Sequence, residues 1–290
     1  MQKILANRKD KKIILYHEKI KKIVITITFH YAEKKLKNLS KITNDFLLFS
    51  KKVNVFIVTN TNKKKDHRNI YKSLNRKLNI KIIVPSFLGH PYLLTWFHLD
   101  IFRKEFFSDK NISHFMYLED DIKISKQNIF HWQENRTILR KFGLIPSFLR
   151  YEIKNNNRKE KYVVDVTKRL SLRNLPKVKI SDEYCYVNLP QPYQGMYLLD
   201  RDLMKEHLNG PSSSPDFHKC NWPIRESAAQ GLTFANVPKK FWSRNVVLYN
   251  IKNKCVAEHS LIHHLSNNYI KSNTPFAKIK LSDLIKKSFF

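Results

Sequence analysis

The chain has 290 residues, of which 42% are hydrophobic and 12% aromatic, so it is long enough to bury the core of one main globular domain. Its formal net charge of +30 would attract phosphates, nucleic acid or an anionic membrane surface, although a coding bias toward lysine would also produce it. The three cysteines lack CxxC spacing, which speaks against a disulfide framework or a zinc site and favours a reducing cytoplasm. No apolar run reaches the roughly 20 residues of a transmembrane helix.

The first half of the chain alternates between strand and helix patterns. Residues 1–20 are basic and poorly patterned, and we interpret them as a separate N-terminal segment. Runs rich in β-branched residues predict strands at Ile23–Phe29, 53–60 and 80–84. Apolar residues at helical spacing predict helices at 33–50, 68–78 and 91–106. A further apolar run at 115–118 completes a β-α-β-α-β-α-β order, which predicts a parallel sheet with helices on both faces.

The second half of the chain has a mixed pattern. The predicted elements are a helix at 127–142, a hairpin of 147–153 and 162–167, strands at 184–188, 195–199, 234–237 and 246–249, and short helices from Asp200 and within 222–230. The sequence therefore predicts one domain over 21–270, with a first half at 21–125 and a second half at 126–270.

The remaining residues, 271–290, form a basic tail with a stripe of apolar residues. That stripe fits two interpretations, a helix lying on an anionic membrane or a C-terminal helix docked on the domain. The predicted location is cytoplasmic, with peripheral attachment to the inner face of the plasma membrane under the first interpretation.

Three consecutive carboxylates follow the apolar run at 115–118. Side chains alternate faces in a strand, so Glu119 and Asp121 point one way and Asp120 the other. Adjacent carboxylates repel each other unless a cation lies between them, and two such oxygens suit Mg²⁺ or Mn²⁺. Ligands of open α/β sheets bind outside the carboxyl ends of the strands, where this triplet falls. A solvated acidic loop is the alternative interpretation.

This arrangement resembles the GT-A glycosyltransferases over residues 23–269. Their DXD motif corresponds to Glu119-Asp120-Asp121, with Glu at the first position. The resemblance implies an α/β, Rossmann-like GT-A fold with a mostly parallel central sheet flanked by helices. It makes residues 21–125 the nucleotide-binding half and residues 126–270 a mixed antiparallel acceptor-side half. It also implies metal-dependent transfer of a sugar from a nucleotide-sugar donor to a glycan or lipid-linked acceptor. UDP- and GDP-sugars are the favoured donors, and the favoured process is cell-surface polysaccharide or lipopolysaccharide synthesis.

The resemblance also implies roles for individual residues on the donor side. Asp121 and Glu119 are the expected ligands of Mn²⁺ or Mg²⁺, and a late histidine, His264 or His259, is a candidate third ligand, with an ordinary partly buried or surface histidine as the alternative for each. Asp120 is expected to orient the ribose or the donor sugar. The residues expected to contact the nucleotide or its diphosphate are Thr28, His30, Tyr31, Asn60 and Arg103.

On the acceptor side, the segment Gln191-Pro192-Tyr193-Gln194-Gly195 resembles part of the bacterial transferases that build surface polysaccharide, which makes Tyr193 and Gln194 candidate acceptor contacts. Trp222 is a candidate sugar platform. If the reaction inverts configuration, a carboxylate must deprotonate the acceptor hydroxyl. Glu226 is the preferred base, and the rivals are Asp182, Glu183 and Asp216. A retaining reaction needs no such base.

A nucleic-acid-binding protein or a metal-dependent nuclease is the competing functional hypothesis, because the chain is basic and carries clustered carboxylates. A two-metal nuclease needs carboxylates from several strands at one site, and the sequence shows one convincing cluster. No zinc-finger or RNP stretch is present, so we expect no nucleic-acid partner.

Overall fold

The computed structural model describes residues 20–86, 89–154, 160–218 and 222–286. Strands β1–β15 are, in chain order, Ile23–Phe29, Val53–Thr59, Asn79–Ile83, His114–Glu119, Ile122–Lys123, Ile145–Pro146, Leu149–Lys154, Glu160–Val163, Lys177–Lys179, Tyr184–Val187, Met196–Asp200, Asn245–Asn250, Cys255–Val256, Leu261–His264 and Ile279–Lys280. Helices α1–α6 are Leu36–Thr43, Lys64–Ser73, His98–Ser108, Lys126–Leu139, Arg201–Asn209 and Ile224–Ser227.

The central sheet has the strand order β11-β4-β1-β2-β3. Strands β1 to β4 run parallel, and β11 pairs antiparallel with β4 at one edge. All seven residues of β1 are buried, as expected for a β-branched strand in the middle of a sheet that is covered on both faces. Residues of α1, α2 and α3, such as Leu39, Ile70 and Phe102, pack in the same core as these strands. The predicted fold class, α/β with a mostly parallel central sheet, is confirmed.

The second half of the chain adds two smaller sheets, which are the mixed half that the sequence predicts. One has the order β13-β12-β10-β9, with β6 alongside β12, and the other has the order β15-β8-β7-β14-β5. The predicted hairpin is present as the antiparallel pair β7 and β8, although its turn at 155–159 lies outside the described residues.

The pairing of β5 with β14 matters most for the site. Strand β5 follows the acidic triplet directly, and its Ile122 pairs with His264 of β14. The triplet is therefore joined by a strand pair to a segment more than 140 residues later in the chain.

Several predicted elements differ from the structure. The helix predicted at 68–78 is Lys64–Ser73, and the one predicted at 91–106 is a 3₁₀ turn at Pro91–Trp96 followed by α3. The predicted helix at 33–50 is shorter, because 3₁₀ turns at Glu33–Lys35 and Phe46–Leu48 flank α1. The strand predicted at 234–237 is wrong, since residues 231–236 form turns. Gly231 and Asn236 have φ angles of 50° and 51°, which an extended strand does not allow.

The C-terminal tail packs on the domain as far as Lys286, and over these residues it forms strand β15 and a 3₁₀ turn at Leu281–Asp283 rather than an α-helix. Strand β15 pairs with β8, and the backbone N–H of Leu170 donates to the carbonyl of Leu284 at 2.8 Å. Leu284 and Ile285 are 1% and 5% exposed and belong to the hydrophobic cluster of the smaller sheets. The domain thus covers Leu284 and Ile285, two of the apolar side chains in the predicted stripe. No helix in the described part of the chain is long and apolar enough to cross a bilayer. Residues 1–19 and 287–290 lie outside the described residues.

Candidate active site

A cleft of about 520 Å³ opens at the carboxyl ends of β1 and β4. The ends of neighbouring parallel strands meet at one edge of a sheet, so Thr28 and His30 after β1 lie beside the acidic triplet after β4. Its other walls are formed by the 3₁₀ turn Pro91–Trp96, by Arg150 of β7, by α6, and by polar residues that follow β14. The cleft therefore lies between the central sheet and the second half of the chain.

Glu119 is fixed at the end of β4 from two directions. Its backbone N–H donates to the carbonyl of Gly195 at 2.9 Å, and the Tyr193 hydroxyl donates to its Oε1 at 2.5 Å. Burial raises the pKa of Glu119 and the charge of Asp121 raises it further, while Arg150 and the Tyr193 hydrogen bond act in the opposite direction. The carboxylate is thus held in place by a neutral donor in a site that disfavours its charge.

Asp120 lies in the turn that follows β4 and pairs with a lysine. Its Oδ2 lies 2.9 Å from the ammonium nitrogen of Lys35, which sits in the 3₁₀ turn before α1. Burial raises the pKa of Asp120, and the charge of Lys35 opposes that effect. The pair closes the side of the cleft next to His30.

Asp121, His264 and Glu152 form a continuous buried chain. Asp121 Oδ2 lies 3.1 Å from His264 Nε2 and accepts a 2.5 Å hydrogen bond from the Ser266 hydroxyl. His264 Nδ1 lies 2.7 Å from Oε1 of Glu152, whose carboxylate also accepts the backbone N–H groups of Tyr269 and Ile270. Glu152 is fully buried, so it holds the imidazole in one orientation.

The electrostatics of this chain favour an imidazolium between two carboxylates. Burial lowers the pKa of His264, but the hydrogen bonds with Asp121 and Glu152 outweigh it and raise the pKa to about 9. Burial likewise raises the pKa of Asp121, but the bond from His264 prevails and lowers it to about 2. At neutral pH, all three groups are charged.

The Asp121–His264 pair fits a divalent ion. Two ligands in neighbouring positions of an octahedral ion lie about 3 Å apart, and these two atoms are 3.1 Å apart. A carboxylate oxygen with an imidazole nitrogen suits Mn²⁺, and a carboxylate on the second ring nitrogen is the usual support of a metal-bound histidine. Within the described residues, no three His, Cys, Asp or Glu side chains already have the arrangement of a metal site. The protein thus presents a suitable pair rather than a complete ligand set.

Arg150, Tyr193 and Trp222 form a series of stacked side chains next to Glu119. The guanidinium carbon of Arg150 lies 4.5 Å from the centre of the Tyr193 ring, and Trp222 stacks on Tyr193 at 5.6 Å with 18° between the planes. Trp222 itself lines a neighbouring cavity of about 500 Å³ with Pro190 and Phe234, and does not line the cleft. Tyr193 therefore lines the cleft and also stacks on Trp222, which lines the neighbouring cavity.

Glu226 lines the cleft from α6. Its Oε1 lies 2.5 Å from a terminal nitrogen of Arg225, and its side chain is 24% exposed. The rival bases Asp182, Glu183 and Asp216 do not line the cleft. Among the candidate bases that the sequence offers, Glu226 is the one that the fold brings to the acidic triplet.

The predicted nucleotide contacts divide into two groups. Thr28 and His30 line the cleft, whereas Tyr31 and Asn60 do not. The side chain of Asn60 accepts the backbone N–H of Tyr31 at 2.8 Å, so these two residues shape the loop after β1.

Three predicted site residues lie away from the cleft. Arg103 is on the solvent-facing side of α3, where its guanidinium is 3.7 Å from Asp100, because Phe102 and Phe106 turn the opposite side of that helix into the core. His259 is exposed in the 3₁₀ turn before β14. Gln194 is buried, and its side-chain oxygen accepts the backbone N–H of Phe148 at 2.7 Å, which gives it a structural role.

Several residues that line or support the cleft were not predicted, namely Lys35, Arg150, Glu152, Arg225, Ser266, Asn268 and Tyr269. A signal existed for two of them. Arg150 and Glu152 are two residues apart in a predicted strand, so they share a face, and opposite charges inside an otherwise apolar strand indicate a buried polar site.

No protein-family model matches the sequence, and no curated protein matches it. Two solved structures show a distant likeness. One is 4-diphosphocytidyl-2C-methyl-D-erythritol synthase from Anaerococcus prevotii, with 13% identity over 87% of this chain and 92% of the other, at a TM-score of 0.36. The other is S. aureus TarS 1-349, with 13% identity over 84% of this chain and 60% of the other, at a TM-score of 0.40. Both scores are below 0.5, so the functional assignment depends on the site itself.

Gly195 provides a test of how tightly Glu119 is held. A Cβ at this position would lie 2.7 Å from Glu119 Oε2 and 2.9 Å from Ile122 Cγ1, and its φ is +64°. Gly195→Ala should therefore displace Glu119 in addition to straining the backbone by about 1–3 kcal/mol. Gly89→Ala is the matched control, because Gly89 has φ +67° with nothing within 4 Å of the added Cβ. We expect a larger loss of unfolding free energy, measured in urea, for Gly195→Ala. Equal losses would contradict the close contact.

The buried imidazolium predicts a specific loss of stability at alkaline pH. The folded-state pKa of His264, about 9, is above its unfolded value of 6.5. The stabilisation is therefore complete below pH 6.5 and disappears as the pH rises through 9, by on the order of 3 kcal/mol. Urea unfolding in EDTA should show this loss in the wild type but not in His264→Gln. His259→Gln, which changes the exposed histidine, should behave like the wild type, and an unchanged pH profile in His264→Gln would contradict the assignment.

Proposed function

We propose that the protein is a metal-dependent glycosyltransferase that moves a sugar from a UDP- or GDP-sugar to a glycan or lipid-linked acceptor. The observation that supports this proposal is the position of the acidic triplet. Its three carboxylates lie at the end of a central parallel strand in a cleft of about 520 Å³, next to a histidine contributed by the second half of the chain. A cleft of that size accommodates a small-molecule ligand.

The nucleotide would occupy the side of the cleft formed by the end of β1. Thr28 and His30 offer a hydroxyl and an aromatic ring there, and Tyr92, which is 55% exposed, faces the same space from the turn Pro91–Trp96. Asp120 is fixed by Lys35 and would accept hydrogen bonds from the hydroxyls of the ribose or of the donor sugar.

Mn²⁺ or Mg²⁺ would be held by Asp121 and His264, with Glu119 as the further carboxylate. When bound, such an ion supplies positive charge next to the diphosphate leaving group. His264 must lose a proton before its Nε2 can act as a ligand, and Glu152 keeps that nitrogen directed toward Asp121 meanwhile. Tyr193 fixes Glu119 by its hydroxyl.

The acceptor would approach from the side of α6. In an inverting reaction, Glu226 would take the proton of the attacking hydroxyl, and Arg225 would orient its carboxylate. Trp222, stacked on Tyr193 at the neighbouring cavity, would provide a platform for an acceptor sugar. The resemblance of residues 191–195 to transferases of bacterial surface polysaccharide supports a cell-surface glycan as the acceptor.

The proposed metal site can be tested with Asp121→Asn. We expect Mn²⁺-dependent hydrolysis of the preferred UDP- or GDP-sugar to fall by about 100-fold or more, because the variant keeps the size of the side chain and removes its charge. Asp202→Asn is the control, since that aspartate pairs with Arg140 on the surface and is 67% exposed. Circular dichroism checks the folding of both variants. Wild-type rates in a folded Asp121→Asn would refute the role of the triplet.

Glu226→Gln tests the proposed base. The variant retains the size of the side chain but cannot accept a proton, so transfer to the acceptor should fall by roughly 10²–10⁴-fold while the donor Kd stays within about twofold. Transfer rates and donor titrations on the same preparation supply both numbers. A matching loss of donor binding would place Glu226 in the donor site instead.

A further inference from the structure

Arg150 is a buried cation in the wall of the cleft. It is the second residue of β7 and is 4% exposed. Its backbone carbonyl accepts the N–H of Val164 at 3.0 Å, and its strand pairs with β14 on the other side. Glu152, two residues later, points to the same side and holds His264. The strand therefore directs Arg150 toward the acidic triplet from a rigid backbone.

One edge of the guanidinium is fully used by Asp165. Arg150 Nε donates to Oδ2 of Asp165 at 2.9 Å, and Nη2 donates to Oδ1 at 2.6 Å. Asp165 is itself 7% exposed. Among the described residues, none accepts a hydrogen bond from the remaining terminal nitrogen, Nη1. The fork with Asp165 and the ring of Tyr193 thus fix the plane of the guanidinium and leave three N–H donors for a ligand, two on Nη1 and one on Nη2.

The charge of Arg150 reaches the acidic triplet. Its guanidinium is among the groups that lower the pKa of Glu119, against the larger effect of burial, and it acts in the same direction on Asp121. The other lysine and arginine side chains of the wall are more exposed: Lys35 is 40% exposed and pairs with Asp120, while Arg225 is 59% exposed and pairs with Glu226. A buried and fixed guanidinium is the stronger anion-binding group, because solvent screens it less.

We propose that Arg150 binds the diphosphate of the nucleotide-sugar donor through Nη1, and that Asp165 is the positioning residue that holds it. A planar guanidinium with free donors on one edge matches the geometry of phosphate oxygens. Arg150 takes the role that the sequence predicted for Arg103. This inference rests on the proposed function, since it requires that the cleft binds a nucleotide diphosphate.

The test compares Arg150→Lys with a matched control. Arg136→Lys changes another largely buried arginine, whose Nε donates to Asp200 at 2.7 Å away from the cleft. Calorimetric titrations use UDP, GDP, CDP and TDP, each beside its monophosphate, with Mn²⁺ and again with EDTA. We expect Arg150→Lys to weaken binding of the preferred nucleoside diphosphate by about tenfold or more in both conditions. Binding of the corresponding monophosphate should weaken by less. Arg136→Lys should change neither.

Asp165→Asn provides the second variant if Arg150→Lys does not fold. It keeps the guanidinium but weakens the two hydrogen bonds between Arg150 and residue 165. Like Arg150→Lys, it should therefore lower the preference of the protein for the diphosphate over the monophosphate. Equal effects of Arg150→Lys and Arg136→Lys would overturn the role of Arg150. So would a wild-type preference for the diphosphate over the monophosphate in both Arg150→Lys and Asp165→Asn. Either result would leave the proposed function standing. A wild-type protein that binds no member of the panel would overturn the proposed function and this inference together.

Discussion

The hydrogen-bonded chain from Glu152 through His264 to Asp121 is the interaction on which the rest of the site depends. It joins the end of the central sheet to β14 and β7, which lie in the second half of the chain. Burying a charged group without a partner costs free energy. A rearrangement that separates the two halves of the chain would expose the side chains of Glu152, His264 and Asp121 or leave them unpaired, and is therefore unfavourable. The same contacts that close the fold at this point therefore also fix the geometry of the candidate site.

The remaining charges of the cleft follow a common plan. Asp120 pairs with Lys35, Glu226 with Arg225, and Arg150 with Asp165, while Glu119 receives a hydroxyl from Tyr193. Each side chain is thus held by a neighbour before any ligand binds. Preorganised charges of this kind stabilise a developing negative charge without further reorganisation, which is the main requirement of a reaction that releases a diphosphate.

The parts of the structure that could be predicted from the sequence are those with strong local patterns. The β-branched run of β1 and the apolar run of β4 give the central strands, and the triplet marks the end of β4 where ligands bind. His264 was one of two histidine candidates, and the choice between it and His259 depends on the pairing of β14 with β5, which no local pattern reveals.

Other features depend on packing between distant segments. Arg103 lies outward because of the orientation of α3 against the sheet, and a helical pattern does not show which basic residue faces a ligand. Lys35 was missed because it reads as one of many surface lysines until the fold places it 2.9 Å from Asp120. Gln194 follows Tyr193 directly, yet its side chain contacts Phe148 while that of Tyr193 contacts Glu119.

The central claim is that Asp121 and His264 hold a divalent ion beside the donor diphosphate. Anomalous diffraction at the manganese edge, from crystals grown with Mn²⁺ and UDP or GDP, tests it most directly. We expect a single strong peak at about 2.0–2.3 Å from the Asp121 carboxylate and from Nε2 of His264, next to the diphosphate. A nucleotide bound in the cleft with the His264–Asp121 ion pair intact and no manganese between them would contradict the account.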